Sequence, residues 1–235
     1  KFEIRTKVLY DKLSKAAGLL KEILAASGLD DEKRLKEILS EVKSRLKMSM
    51  QSAANSVAAN RAMSYFSETA RFSDLTLGID FYRVVADYEE HFEDKKEELI
   101  GRLKDLIRLV FTKENLMVSV TCDEKGFEGV FDMVERIKDA LPATEEKRPL
   151  TQLTCVRKNE GFMDASKVQY VAKAGNFKNA GYAYSGVLKI LKVILSYDYL
   201  WQNVRVKGGA YGCGGGFMRN GNVYFSSFRD PNLEK

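Results

Sequence analysis

A run of glycines near the end of the chain restricts its fold more than any other feature. Six of the nine residues from Gly208 to Gly216 are glycine, and the dipeptide Asn220-Gly221 follows shortly afterwards. Asn-Gly between two strand-like stretches is the strongest local signal for a tight hairpin. We therefore interpret the glycine run as part of the first arm of a hairpin and residues 223–228 as the second arm. Composition alone also fits a flexible loop.

The glycine run does not match the motifs that hold nucleotides. A phosphate-binding P-loop needs Gly-Lys-Ser/Thr at the start of a helix, whereas Gly216 is followed by Phe217-Met218 and then by the hairpin turn. A dinucleotide fingerprint needs a strand, a turn and a helix in succession, and this order is missing here. Glycine instead allows another backbone or a ligand to approach closely, because it has no Cβ atom. The run favours a surface for another stretch of polypeptide over a phosphate site.

The rest of the chain combines a few strand patterns with many amphipathic helices. Alternation of apolar and polar residues predicts strands at residues 2–8, 116–122 and 168–174. Helical periodicity predicts helices over most of 11–109, with an interruption near Gly78, and again at 127–141 and 184–197. The Ala- and Ser-rich stretch 48–69 is suited to close packing on a sheet or another helix. This order indicates an α+β fold with helices covering one face of an antiparallel sheet.

A polar segment bounded by prolines divides the chain into two parts. Residues 142–149 read Pro-Ala-Thr-Glu-Glu-Lys-Arg-Pro, and this composition is typical of a linker. We therefore expect residues 1–141 and 150–235 to belong to two different domains.

Composition and charge argue against several classes of partner. The net charge is only +5 and no block of five or six like charges occurs, so nucleic-acid binding is not expected. No apolar run approaches the roughly 20 residues of a membrane span, and no membrane partner is expected. The three cysteines, Cys122, Cys155 and Cys213, are widely spaced, which suits a reducing compartment.

The single histidine limits the hydrolytic chemistry that this chain can perform. His91 is the only histidine in the sequence, whereas a hydrolytic zinc site usually takes three protein ligands, commonly two histidines and a carboxylate. A Ser-His-Asp or Cys-His site would also have to use this residue. We interpret His91 as an ordinary polar residue at a helix boundary, and we predict no metal site within this chain.

Arg205 and Tyr211 are the candidate binding residues beside the glycine run. They lie six residues apart, and in a regular strand an even spacing places two side chains on one face. A guanidinium fork and a phenol O–H together suit a peptide carbonyl, a carboxylate or a developing oxyanion. The alternative is an arginine in a surface ion pair and a tyrosine in the core, and spacing alone favours that alternative.

Three motifs resemble the presequence protease and falcilysin branch of the pitrilysin family of zinc metallopeptidases. They are Tyr199-Leu200-Trp201, Arg205-Val206-Lys207-Gly208-Gly209-Ala210-Tyr211-Gly212 and Phe228-Arg229-Asp230-Pro231-Asn232-Leu233. Weaker similarities to the same branch occur at residues 7–9, 31–35, 78–82, 159–162 and 168–171. The resemblance therefore extends over essentially the whole chain.

The resemblance implies an enzyme with four related α+β domains in two halves, which close around an unfolded peptide. It implies that residues 1–141 are the C-terminal part of the third domain and 150–235 the truncated N-terminal part of the fourth, joined by the linker 142–149. The zinc motif His-x-x-Glu-His of such enzymes lies in the first half and does not occur in this sequence. Zinc is therefore expected outside this fragment, and the fragment alone is expected to be inactive.

The resemblance also gives the two candidate residues a role. The second half of these enzymes supplies an arginine and a tyrosine that face the zinc, and Arg205 and Tyr211 match those positions. They would bind the peptide carbonyl and stabilise the oxyanion, while zinc polarises the carbonyl and activates water with a glutamate as general base. The implied partners are unfolded peptides and the N-terminal half of the same polypeptide. The implied location is the bacterial cytoplasm or an organelle matrix.

The sequence leaves two alternatives open. A non-enzymatic scaffold or assembly module, similar to the inactive pitrilysin-fold subunits of respiratory complexes, would use the glycine strand only to pack against a neighbour. A His-x-x-Glu-His motif encoded upstream of Lys1 would distinguish the peptidase from the scaffold.

An interrupted fourth domain would also leave a sheet edge exposed, which promotes a non-native dimer of the fragment.

Overall fold

The computed structural model describes residues 2–143 and 151–232. Its α-helices are α1 Leu13–Ala25, α2 Glu32–Ser52, α3 Ala54–Ser64, α4 Glu68–Leu77, α5 Ile79–Glu90, α6 Phe92–Val110, α7 Phe127–Asp139 and α8 Val187–Ile194. A π-helical segment, Leu195–Lys207, continues α8. The strands are β1 Ala172–Asn176, β2 Gly212–Phe217 and β3 Asn222–Phe228. Within the described ranges, no helix is both long and apolar enough to cross a membrane.

The α+β prediction is confirmed by one antiparallel sheet with helices packed against it. The strand order is β1-β3-β2, so β3 pairs with both other strands. The predicted hairpin is also confirmed, because β2 and β3 are joined by a tight turn in which the Gly221 N–H donates to the Met218 carbonyl at 3.0 Å. Gly221 has a φ of 97°, a backbone conformation that glycine adopts without steric cost.

The described residues form two compact units, each built from two separate stretches of chain. One unit contains residues 2–37 and 91–143, and the other contains 38–90 and 151–232. The unit boundaries thus fall inside α2 and between α5 and α6, as well as near the predicted linker 142–149. Most of that linker lies outside the described residues. The assignment of 1–141 and 150–235 to a third and a fourth family domain stays a prediction.

In the first unit, α1 packs against α7. Small and branched apolar side chains line this contact, and the buried ones are Leu13, Ala16, Ala17, Val130 and Ile137. Next to it the Tyr10 ring lies over Gly126, where a Cβ atom would overlap the ring. The Tyr10 hydroxyl accepts the N–H of Asp123 at 3.1 Å. The glycine therefore serves the packing of a tyrosine here.

Two strands predicted in this unit are wrong. Residues 2–8 and 116–122 have no strand partner among the residues that the structure describes. Alternation only reports that one face of an extended segment is more apolar, whereas a strand also needs a backbone partner. Phe2 instead packs against Phe111, with the two ring centroids 4.8 Å apart.

In the second unit, helix α3 packs on β1 and β3. The buried Ala59 and Met63 lie on this helix, so the small residues of the stretch 48–69 do allow close packing on a sheet. The predicted helix break is confirmed, since α4 ends at Leu77 and α5 begins at Ile79. A Cβ atom on Gly78 would lie 2.8 Å from the Asp74 Cα, so only glycine fits at this junction.

A buried ion cluster joins the three consecutive helices α3, α4 and α5. Arg61 on α3 is 4% exposed, and its guanidinium contacts Asp74 at 2.5 Å and Asp80 at 3.1 Å. It also contacts Glu160 at 2.7 Å, which brings a distant stretch of sequence to the same cation. We refer to these four residues as the Arg61 cluster.

The Arg61 cluster holds its outer carboxyl groups in the charged form. Hydrogen bonds from Arg61 lower the pKa of Glu160 to about 2. Burial alone would raise the pKa of Asp80, but hydrogen bonds from Arg71 and Arg61 outweigh it and lower this pKa to about 2. Burial and the hydrogen bond that it donates to Glu160 raise the pKa of Tyr65 to about 12. The lowered pKa values keep Asp80 and Glu160 ionised around neutral pH.

Candidate functional site

A sharp bend connects the π-helical segment to β2. Arg205 lies in the last turn of that segment, and its carbonyl accepts the N–H of Gly209 at 2.9 Å. Gly209 has a φ of 76°, the left-handed conformation that commonly ends a helix. Ala210, which follows, is 3% exposed and anchors the bend in the interior. The chain reverses here, so Tyr211 returns to the side of the helix that carries Arg205.

Arg205 and Tyr211 do meet, although the predicted reason is wrong. Arg205 is helical and Tyr211 precedes β2, so the two residues do not share one face of a strand. The bend brings them together instead. An Nη1 atom of Arg205 donates to the Tyr211 carbonyl, and the guanidinium carbon lies 5.4 Å from the Tyr211 ring centroid. The same guanidinium lies 4.2 Å from the ring of Trp201, one helical turn earlier.

The alternative that spacing alone favoured does not describe this pair. Tyr211 is 63% exposed and is therefore not a core residue. Arg205 has no acidic partner in the described ranges. Stacking on Trp201 and Tyr211 fixes the position of the guanidinium without neutralising its charge. A fixed arginine with its charge uncompensated is suited to holding an anionic or partly anionic group.

A second segment, the turn after β3, completes the site. The Arg229 carbonyl accepts the N–H of Tyr211 at 3.3 Å, and the Arg229 guanidinium lies 5.8 Å from the Tyr211 ring centroid. Asn232 in the same turn donates from its side chain to the Gly208 carbonyl at 2.8 Å. The turn is thus attached to the bend at Gly208 and at Tyr211. We call Arg205, Tyr211 and Arg229 the arginine–tyrosine site.

Sequence reasoning gave Arg229 no role. It lies 18 residues beyond Tyr211 in sequence, and its approach depends on the pairing of β2 with β3. The available signal was the motif 228–233, which accompanies the glycine motif. A hairpin with a turn at 220–221 brings the end of the second arm back to the start of the first, so the two motifs could have been placed side by side.

The glycines of β2 serve packing against β3. A Cβ atom on Gly215 would lie 2.7 Å from the Phe225 ring and 2.8 Å from the Tyr224 carbonyl. A Cβ atom on Gly216 would lie 2.7 Å from the Tyr224 ring. Gly214 differs, since nothing lies within 4 Å of its Cβ position. Two of the strand's glycines are therefore required by aromatic residues of the neighbouring strand rather than by a ligand.

Within the parts that the structure describes, no group of three or more His, Cys, Asp or Glu side chains could hold a metal ion. His91 lies between α5 and α6 and immediately precedes Phe92, which confirms its predicted place at a helix boundary. The chemistry that the site offers is hydrogen-bond donation and positive charge, from two guanidinium groups and a phenol.

Two family models match the chain. A model for a region associated with peptidases of family M16, subfamily C, matches residues 1–87, and the PreP C-terminal domain model matches residues 159–235. All three residues of the arginine–tyrosine site fall within the second match. The Arg61 cluster draws on both matched stretches, with Arg61, Asp74 and Asp80 from the first and Glu160 from the second.

Curated relatives align with nearly the entire chain. Protein HypA of Clostridium perfringens is 36% identical over 232 residues, which cover 99% of this chain and 24% of the relative. Presequence protease 1, chloroplastic/mitochondrial, of Arabidopsis thaliana is 26% identical over 237 residues, which cover 100% of this chain and 22% of the relative. The mitochondrial presequence protease of Drosophila melanogaster is 24% identical over 242 residues, which cover 99% of this chain and 22% of the relative. The chain spans about a quarter of the length of these relatives.

Proposed function

The chain belongs to the presequence protease branch of the pitrilysin peptidases, as a stretch of the C-terminal half, and from this we propose that the full-length protein is a zinc-dependent peptidase that degrades unfolded peptides. In this proposal the chain supplies binding groups and no zinc ligand. It forms one wall of the site and depends on the N-terminal half of the same polypeptide for catalysis.

The observation that carries the proposal is the fixed pairing of Arg205 with Tyr211. The Arg205 guanidinium lies 4.2 Å from the Trp201 ring centroid and 5.4 Å from that of Tyr211, and Tyr211 is exposed. Donors fixed before the reaction stabilise the negative charge that forms on the carbonyl oxygen when water attacks. Arg205 and the Tyr211 hydroxyl would bind the peptide carbonyl and then stabilise this oxyanion. Each donor of this kind typically contributes roughly 10²–10³ in turnover.

Zinc enters the proposal only through the missing half. The described residues include no group of His, Cys, Asp or Glu side chains that could hold a metal ion. Zinc held by residues of the other half would supply Lewis-acid chemistry, while Arg205 and Tyr211 would bind the peptide carbonyl. By this proposal the isolated chain is inactive.

The proposed partners and location also follow from the relatives. Substrates would be unfolded peptides, whose main-chain carbonyls are free to reach the arginine–tyrosine site. The relatives include a protein of a bacterium and proteases named chloroplastic or mitochondrial. We place the protein in the bacterial cytoplasm or an organelle matrix.

The test uses Arg205→Ala and Tyr211→Phe in the full-length protein. We expect each variant to lower cleavage of an unstructured peptide by roughly 10²–10³ while bound zinc, measured by atomic absorption, is unchanged. Arg219→Gln is the control, since Arg219 is an exposed arginine in the hairpin turn at the other end of β2. Wild-type rates in both variants would refute the proposed role. A full-length protein without zinc and without cleavage would instead favour a non-enzymatic scaffold.

A further inference from the structure

Arg229 has a backbone conformation that arginine rarely adopts. Its φ is 48°, and it is the one residue other than glycine with a positive φ in the described ranges. Glycine or asparagine adopts this left-handed conformation at lower cost. The turn itself therefore does not call for an arginine. Non-glycine residues in such conformations are concentrated at functional sites, where the position of the side chain matters.

The Arg229 guanidinium is exposed and has no acidic partner in the described part of the chain. Its nearest aromatic neighbours are the rings of Phe228, at 5.5 Å, and Tyr211, at 5.8 Å. Arg205 approaches the same Tyr211 ring at 5.4 Å. Two uncompensated positive charges therefore lie against one exposed tyrosine. Two positive charges around one tyrosine ring raise the local potential and favour binding of an anion.

The two arginines differ in how many of their donors are used. Arg205 already donates to the Tyr211 carbonyl, whereas Arg229 makes no hydrogen bond from its guanidinium to any described residue. A peptide carbonyl needs only the donors of Arg205 and Tyr211. A guanidinium fork with all its donors available matches the two oxygens of a carboxylate.

We propose that Arg229 binds a carboxylate of the peptide substrate and gives the protein a preference for peptides that carry one near the cleaved bond. The carboxylate comes from an acidic side chain or from the peptide's C-terminus. This inference rests on the proposed peptidase function, since it assigns a substrate preference to the same site. The left-handed backbone at Arg229 holds the guanidinium beside Tyr211.

The test compares matched peptides in the full-length protein. The parent is a short unstructured peptide of Ala, Ser and Leu with one Glu beside the cleaved bond and a free C-terminus. One partner has Gln in place of Glu, and a second has an amidated C-terminus. We expect the wild type to cleave the parent with a kcat/KM roughly tenfold above that of one of the two partners, because charge-assisted hydrogen bonds add appreciably to binding. The partner that loses this advantage identifies the source of the carboxylate.

Two Arg229 variants separate charge from backbone conformation. Arg229→Asn tolerates the left-handed backbone without the charge, and we expect the ratio between parent and partner to fall to about one. Arg229→Lys keeps a positive charge and should restore part of the ratio. Arg219→Gln, which removes an exposed arginine elsewhere, should leave the ratio at the wild-type value. A wild type without any preference, or Arg229→Asn with the full preference, would overturn the inference.

Equilibrium binding separates failure of this inference from failure of the proposed function. Stopped-flow fluorescence anisotropy with the labelled parent and both partners reports binding before cleavage proceeds. If Arg205→Ala and Tyr211→Phe lower cleavage but the wild type binds all three peptides equally, only the carboxylate preference is wrong. If Arg205→Ala and Tyr211→Phe cleave at wild-type rates, the catalytic role is wrong, and the affinity ratio still decides whether Arg229 binds a carboxylate.

Discussion

At the scale of single residues, Arg61 and Arg205 differ in whether carboxylates of the protein balance their positive charge. Arg61 is buried and surrounded by three carboxylates. These carboxylates balance its charge, and the ion pairs connect the helices that carry Arg61, Asp74 and Asp80. The Arg205 guanidinium lies 4.2 Å from the Trp201 ring centroid and 5.4 Å from that of Tyr211, and it has no carboxylate partner in the described ranges. Both arginines are fixed in position, but only Arg61 has its charge balanced by carboxylates of the described residues.

Truncating Arg61 should destabilise the protein severely. We expect Arg61→Met to lower the free energy of unfolding by about 3–5 kcal/mol, because Asp74, 1% exposed, would lose its strongest buried partner. Urea denaturation followed by circular dichroism measures the loss. Arg102→Met is the control, since Arg102 and Glu98 form an exposed ion pair at 2.7 Å and such pairs contribute little. Equal stability of the two variants would contradict the role of the Arg61 cluster.

The Arg61 cluster should also make stability sensitive to acid. The folded pKa values of Asp80 and Glu160, both about 2, lie below their ordinary values of 3.8 and 4.5. The unfolded chain therefore binds more protons than the folded one in this window. The contribution to stability is complete above about pH 4.5 and is lost as the pH falls toward 2.

The measurement is the melting temperature between pH 7 and pH 2. Glu160→Gln should show a shallower fall than the wild type below about pH 4.5, because one of the two shifted groups is gone. Glu41→Gln, at an exposed position on α2, should follow the wild-type curve. If the Glu160→Gln curve stays parallel to that of the wild type, Glu160 is not a source of the acid sensitivity.

At the scale of elements, the sequence predicted the β2–β3 hairpin in full, but it predicted only part of the helix that precedes the hairpin. Asn220-Gly221 encodes a turn by itself, and the prediction needed no information from elsewhere in the fold. The predicted helix 184–197 corresponds to α8, but the π-helical segment continues it to Lys207. Long π-helices are rare, and no sequence pattern distinguishes this one from an ordinary helix end. Arg205 was therefore placed in a strand.

Substitutions of neighbouring glycines in β2 should differ sharply in effect. Gly215→Ala would bring a Cβ atom to 2.8 Å from the Tyr224 carbonyl, which is backbone and cannot rotate away. We expect a loss of about 1–3 kcal/mol in the free energy of unfolding. Gly214→Ala enters open space on the same strand and should change stability by no more than about 0.5 kcal/mol. Chemical denaturation of both variants measures the two changes in the free energy of unfolding. If Gly215→Ala leaves this free energy unchanged, β2 does not need a glycine at position 215.

At the scale of the whole molecule, the sequence indicated the α+β fold class but not the two compact units. Periodicity reports which residues are apolar on one face, and it does not report which distant stretch covers that face. Residues 38–90 join 151–232 through contacts such as Arg61 with Glu160, which are 99 residues apart. Nothing local in either stretch encodes that contact. The dimerisation expected of the isolated chain stays a prediction.

The kcat of Tyr211→Phe in the full-length protein is the decisive measurement for the proposed role of Arg205 and Tyr211 in binding the peptide carbonyl. Loss of an oxyanion donor affects the transition state more than the bound substrate, so kcat should fall by roughly 10²–10³ while KM changes little and bound zinc is unchanged. An unchanged kcat, or a fall that is matched by loss of zinc, would contradict the claim that Arg205 and Tyr211 form the peptide-binding wall of the site.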